Sequence, residues 1–159
     1  MSGDLEELLD RLALRQVVEA YARGADRRDG AGMAALFTDN GRLASYDGEP
    51  GTAPPIFDRR GREAIGKAMA GLNRYEVTTH LLGQQTLAID GDRATGETYC
   101  LAHHISERDG RKENRVMSIR YQDVFVRLDG HWLIDERVLA VDWIETRLVD
   151  YRSDAAASS

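Results

Sequence analysis

The sequence has one cysteine, Cys100, which excludes an internal disulfide and any cysteine-rich zinc centre. It has no apolar run near the roughly 20 residues that a membrane-spanning helix needs. The start Met1-Ser2-Gly3-Asp4 lacks a basic and apolar leader, so a cytoplasmic location is expected. Basic residues are not in excess: 21 lysines and arginines stand against 27 acids, for a net charge of -6. With no basic stripe, neither nucleic acid nor a membrane is expected as partner. Proline is rare as well, and all three, Pro50, Pro54 and Pro55, fall within residues 47–58, which reads as a loop. A glycine-rich phosphate loop is missing: Gly61-Arg62-Glu63-Ala64-Ile65-Gly66 lacks both the spacing and a preceding strand.

What is present suits one folded domain. Apolar residues at 42% and charged residues at 30% are ordinary for a globular chain, and residues 1–150 are expected to form a single unit, with 151–159 as a flexible tail. Leu5, Leu8, Leu9, Leu12, Val17, Val18, Tyr21 and Ala25 recur at spacings of three and four, predicting a long amphipathic helix to about Arg28. Asp29 then caps a shorter helix carrying Met33, Leu36 and Phe37, expected to close at Asp39-Asn40-Gly41. A brief strand covers residues 42–46, and a third helix covers residues 61–72.

After Asn73 the period changes to two. Strands are expected over residues 75–89, 93–107, 115–128 and 131–146, joined by turns at Asp90-Gly91-Asp92, Asp109-Gly110 and Asp129-Gly130. Helices followed by an antiparallel meander make an α+β domain whose sheet curves around the helices. On the second of these strands Ala94, Gly96, Thr98, Cys100, Ala102 and His104 share one face. So small a face allows either close helix approach or an open pocket.

The chemistry-bearing residues are few. At about 100° per residue, Val18, Ala22 and Ala25 fall on one helix face, with Tyr21 and Asp26 on its margins. Of the four histidines, His80, His103, His104 and His131, the last sits in a hairpin turn, and His103 and His104 point to opposite strand faces. No His-x-His or His-x-x-x-His spacing offers two ligands on one side, so no metal is expected. A histidine beside a carboxylate can instead cycle protons near neutral pH, which makes Asp26 with His80 the pair to look for. Tyr21 and Tyr46 add phenols for a developing oxyanion, and His104 is a second candidate acid or base.

The order of these motifs resembles a known family. A long helix ending in Tyr21 and Asp26, then Phe37-Thr38-Asp39-Asn40-Gly41, Thr79-His80-Leu81-Leu82-Gly83, and Arg120-Tyr121-Gln122-Asp123 leading to Leu128-Asp129-Gly130-His131-Trp132, is similar to the SnoaL-like branch of the nuclear-transport-factor-2-like superfamily. The resemblance spans about residues 5 to 148 and implies a cone-shaped, cystatin-like α+β barrel. Its helices pack in a curved, mostly antiparallel sheet around a deep apolar pocket. It implies a homodimer, an apolar cyclic small-molecule substrate and no cofactor.

Asp26 and His80 match the family's dehydratase and dehydrochlorinase dyad, Tyr21 a catalytic tyrosine, and Tyr46 and His104 an active-site tyrosine and second histidine. Relatives that anchor substrate with an arginine point to Arg115, Arg120 or Arg137. Arg120, Arg137, Trp143 and Tyr121 are accordingly the candidate substrate-binding residues. The implied activity is that of a lyase, an isomerase or a polyketide cyclase, chiefly a dehydratase acting on a polyketide, steroid or other cyclic compound. A non-catalytic ligand-binding protein, or a module built like an oxygenase small subunit, is the alternative.

Overall fold

The computed structural model describes residues 2–150, so the expected tail at 151–159 lies outside the described residues. Three helices, α1 (Ser2–Arg27), α2 (Gly30–Ala35) and α3 (Arg62–Met69), pack against one sheet of β1 (Phe37–Asp47), β2 (Phe57–Arg60), β3 (Val77–Asp90), β4 (Arg93–Arg108), β5 (Arg111–Leu128) and β6 (His131–Leu148). The strand order is β2-β1-β6-β5-β4-β3. Every pairing is antiparallel except that of β1 with β6. This is the α+β architecture expected from sequence, as a mixed sheet.

Two of the three hairpins turn on an Asp-Gly pair with both residues at positive φ, and the β3–β4 hairpin on Gly91 at φ 57°. Asp109 and Gly110 both have positive φ, at 53° and 74°, as do Asp129 and Gly130, at 50° and 78°. That backbone matches the twist of the flanking strands, and Asp-Gly reaches it at little steric cost.

At the start of the sheet the expectation fails. Phe37 leaves the second helix and opens β1, because it pairs with Ile134 of β6 across nearly a hundred residues of sequence. Thr38 donates to Asp135 at 3.0 Å in the same step. Near the end of the expected loop the chain returns as β2, the Ile56 N–H donating to Ser45 O at 2.7 Å.

Helix α1 packs on the sheet with one face from Asp10 onward, Asp10 itself accepting from Trp132 Nε1 at 2.9 Å. Leu14, Val18, Tyr21, Ala22 and Ala25 are buried, whereas Leu5, Leu8, Leu9 and Leu12 each remain more than half exposed. At about 100° per residue those four leucines lie roughly half a turn around the helix from Leu14, Val18 and Ala25, so they face away from the core. Two arginines fasten the helix to β3, an edge strand: Arg11 donates to Leu87 O at 3.3 Å and Arg15 to Gly83 O at 3.0 Å. The small face of β4 resolves as close packing. At Gly96 a Cβ would stand 2.8 Å from Leu87 and 3.3 Å from Phe125.

A charged pair sits at the centre of the core. Arg137 and Asp123, neither of them solvent-exposed, join through two bonds of 2.8 and 2.7 Å. The guanidinium also lies 4.2 Å from the ring centroid of Tyr21 and 4.5 Å from that of Tyr121. Its Nη1 has no hydrogen-bond partner among the described residues, and the stacked rings cover it instead.

An unpaired charge in such a place is costly. Asp123→Ala is expected to lower the urea-derived stability by about 3–5 kcal/mol, whereas the double change Asp123→Leu with Arg137→Met recovers most of it. Equal losses in the two variants would show that the pair itself stabilises the fold.

Candidate active site

The C-terminal turn of α1 delivers Asp26 to β3, and the alternation of that strand turns Thr78 and His80 toward it. Asp26 Oδ1 lies 2.7 Å from His80 Nδ1 and accepts from Thr78 Oγ1 at 3.1 Å, while Oδ2 accepts from the His80 backbone N–H at 3.0 Å. A carboxylate only accepts, so the imidazole carries its proton on Nδ1 and keeps its lone pair on Nε2. The His80 side chain is nearly buried, at 7% exposure, against 26% for Asp26.

Arg28 supports the arrangement from behind. It sits at φ 62° just past the helix, and its Nη1 donates to Ala25 O at 2.9 Å and to Thr78 Oγ1 at 2.7 Å. Its Nη2 donates to Tyr75 O at 3.1 Å.

His104 stands behind His80, the two rings edge to face at 5.7 Å, and the Tyr75 ring packs 4.6 Å from it. Its Nδ1 donates to Arg115 O at 3.2 Å. Burial first, and the neighbouring His80 second, pull its pKa from 6.5 down to about 4. A neutral ring of this kind is an acceptor and a wall near neutral pH, a poorer fit to the acid expected of it.

Tyr21 points into the core, five residues and about 140° around the helix from Asp26. Its hydroxyl faces Met69 Sδ at 3.8 Å, and burial raises its pKa to about 12. Tyr121 donates to Cys100 Sγ at 3.4 Å, and burial pushes the thiol to about 11. With Arg137 these groups form a second polar cluster, deeper than the dyad. Arg137 is thereby engaged by Asp123 and the two rings.

Three further expected residues lie on the other face of the sheet. Tyr46 shares its face with Arg42, which donates to its hydroxyl at 3.2 Å and also binds Asp58 and Glu136. Arg120 is held by Asp142, Glu49 and Glu97. Trp143 is 49% exposed. Parity explains the first two. For Trp143 the cause is a bulge: Ile119 pairs with Val141 but Ser118 with Trp143, so the extra residue Asp142 reverses the facing beyond it.

Sequence reasoning passed over Thr78, Arg28 and Tyr75. Thr78 was findable, two residues before His80 and therefore on its face. The other two depend on tertiary approach alone.

A cleft of about 610 Å³ between α1 and β3 opens onto Asp26, Thr78 and His80. Its rim carries Arg15, Arg23 and Arg27, in contrast to the apolar pocket expected. Among the described residues no group of three or more histidine, cysteine, aspartate or glutamate side chains is placed to hold a metal ion. No helix among them is long and apolar enough to cross a membrane.

The model of the SnoaL-like domain matches residues 6–138. An uncharacterized protein from Mycobacterium tuberculosis is 26% identical over 134 residues, 83% of this chain and 85% of its own. Among solved structures, a candidate scytalone dehydratase from Novosphingobium aromaticivorans superposes with a TM-score of 0.73 at 22% identity, covering 92% of this chain and 91% of that one. A type 2 hexachlorocyclohexane dehydrochlorinase, LinA, gives 0.78 at 17% identity, covering 96% of this chain and 99% of that one. At such identities these likenesses show the shared fold.

The depressed His104 makes stability pH-dependent. Below about 6.5 the unfolded chain protonates this residue, while the folded protein does not until about 4, so stability is lost as pH falls through that interval. The loss attributable to His104 is expected to reach about 3 kcal/mol at most. Urea unfolding of wild type and His104→Leu from pH 7 to 4 checks this, the wild type falling more steeply; parallel curves would contradict it.

Proposed function

Because the chain belongs to the SnoaL-like family, we propose that it is a cofactor-independent lyase or isomerase, a dehydratase in its fullest reading, whose base is His80. The supporting observation is the Asp26 carboxylate, held by three donors so that His80 Nδ1 is occupied and Nε2 is free. Nε2 takes a proton α to the carbonyl of a cyclic small molecule. The C–H electron pair becomes an enolate, and Asp26 stabilises the imidazolium that forms. In a β-hydroxy ketone the imidazolium then returns the proton to the hydroxyl, the C–O bond breaks, water leaves and the conjugated enone remains. Isomerisation and aldol-type cyclisation share the first step.

A suitable probe is 3-hydroxy-1-tetralone, whose dehydration and tautomerisation give fluorescent 1-naphthol. Asp26→Asn and His80→Gln are each expected to lower kcat by on the order of 10²- to 10⁴-fold with circular dichroism unchanged. Variants as active as wild type, or a wild type no faster than buffer in dehydration and in α-deuterium exchange, would overturn the assignment.

The homodimer of the proposal uses the outer face of the sheet. Leu81, Leu101, Ser118 and Trp143 lie in one cross-strand row, and Leu81 and Trp143 are 61% and 49% exposed. An apolar row of this size needs cover. Trp143→Arg is expected to halve the mass found by sedimentation equilibrium; a wild type that sediments as a monomer would refute the dimer.

A further inference from the structure

The cleft that reaches the dyad is charged in a way that its own salt bridges do not cancel. Along α1, Arg15, Glu19, Arg23 and Arg27 follow one another every four residues and line the opening. Glu19 is taken up by Arg15, whose Nε lies 2.9 Å from its Oε1, and Arg15 also binds Gly83 O. Asp26 is taken up by His80 and Thr78. Arg23 and Arg27 are exposed, and neither has a hydrogen-bond or ion-pair partner among the described residues. In a protein of net charge -6, two free guanidinium groups one helical turn apart therefore stand at the mouth of the site.

We infer that Arg23 and Arg27 recognise a carboxylate on the substrate, so that the compound presented to His80 is an anionic carbonyl compound rather than a wholly apolar one. The inference rests on the proposed function only for the identity of the reacting group; the anion site itself is independent of catalysis. Guanidinium groups pair with carboxylates through parallel N–H donors, and a rim site orients the ligand while its ring system passes inward toward Leu82 and His80. An alternative account is that Arg27 serves the carbonyl end of α1, where a cation is favourable. That account predicts an effect on stability and none on ligand charge.

The test is a titration with 2-naphthoate and its neutral counterpart 2-naphthamide, followed by ¹H–¹⁵N NMR of the full chain. Saturable shifts at the backbone N–H of Thr78 and His80 and the Nε–H of Arg23 and Arg27 are expected with 2-naphthoate, with at least about tenfold weaker binding of the amide. In Arg23→Gln with Arg27→Gln the naphthoate affinity is expected to drop at least about tenfold and the preference for the anion to disappear. Both substitutions are on exposed side chains, and an unchanged amide spectrum elsewhere reports an intact fold. Equal binding of the two probes, undiminished binding by the double variant, shifts mapping away from α1 and β3, or no saturable shift at millimolar 2-naphthoate would each overturn the site. Neither probe has a hydroxyl to lose, so naphthoate binding with no dehydratase activity would refute the lyase alone. Activity without charge preference would refute the anion site alone.

Discussion

The attachment of one carboxylate, Asp26, to one edge strand is the constraint on which the site depends. Asp26 takes the backbone N–H of His80, the hydroxyl of Thr78 and the ring nitrogen of His80, so a single side chain fixes strand position, ring orientation and tautomer together. Arg28 repeats the attachment from the helix terminus through Ala25, Thr78 and Tyr75. Because α1 is also packed on the core through Leu14, Val18 and Ala25, the pair is borne by elements that cannot move separately. Such positioning is what a general base requires, since proton transfer tolerates little error in distance.

The deeper cluster does different work. Arg137, Asp123, Tyr21, Tyr121 and Cys100 are buried together on the concave side of the sheet. Burying an ion pair costs about as much as its attraction returns. Here the planar guanidinium packs on both tyrosine rings, 4.2 and 4.5 Å from their centroids, and ties Tyr21 of α1 to Tyr121 of the sheet. Asp26 is felt as far as Cys100, where its charge adds to the burial that keeps the thiol protonated. The two clusters therefore share one electrostatic environment without sharing a hydrogen bond among the described residues.

Local chemistry was the most legible part of the fold. The Asp-Gly turns could be read because a two-residue hairpin needs positive φ where those residues stand. The strand at Phe37 could not, since its partner Ile134 is distant in sequence and the local pattern favoured a helix. Spacings of three and four put Leu5, Leu8, Leu9 and Leu12 in one series with the buried residues, although about half a turn of helix separates the two sets. Within the site, Asp26 and His80 came from helix phase, strand parity and family resemblance together, and the structure brings them together. Parity places Tyr46 and Arg120 with the ion pairs of the opposite face. Trp143 eluded parity because one bulged residue changes the sign of the alternation, and no composition signal marks that bulge.

The helix-to-sheet join also occupies part of a sheet edge. The outermost strand β3 offers carbonyl groups that no neighbouring strand completes, and such a row is a template on which another chain can add itself. Arg11 and Arg15 of α1 take two of these carbonyls, at Leu87 and Gly83, and bring positive charge to the same margin. The long helix thus acts as a guard rail as well as a lid for the core. Two of the carbonyls that an added strand would need are thereby already taken.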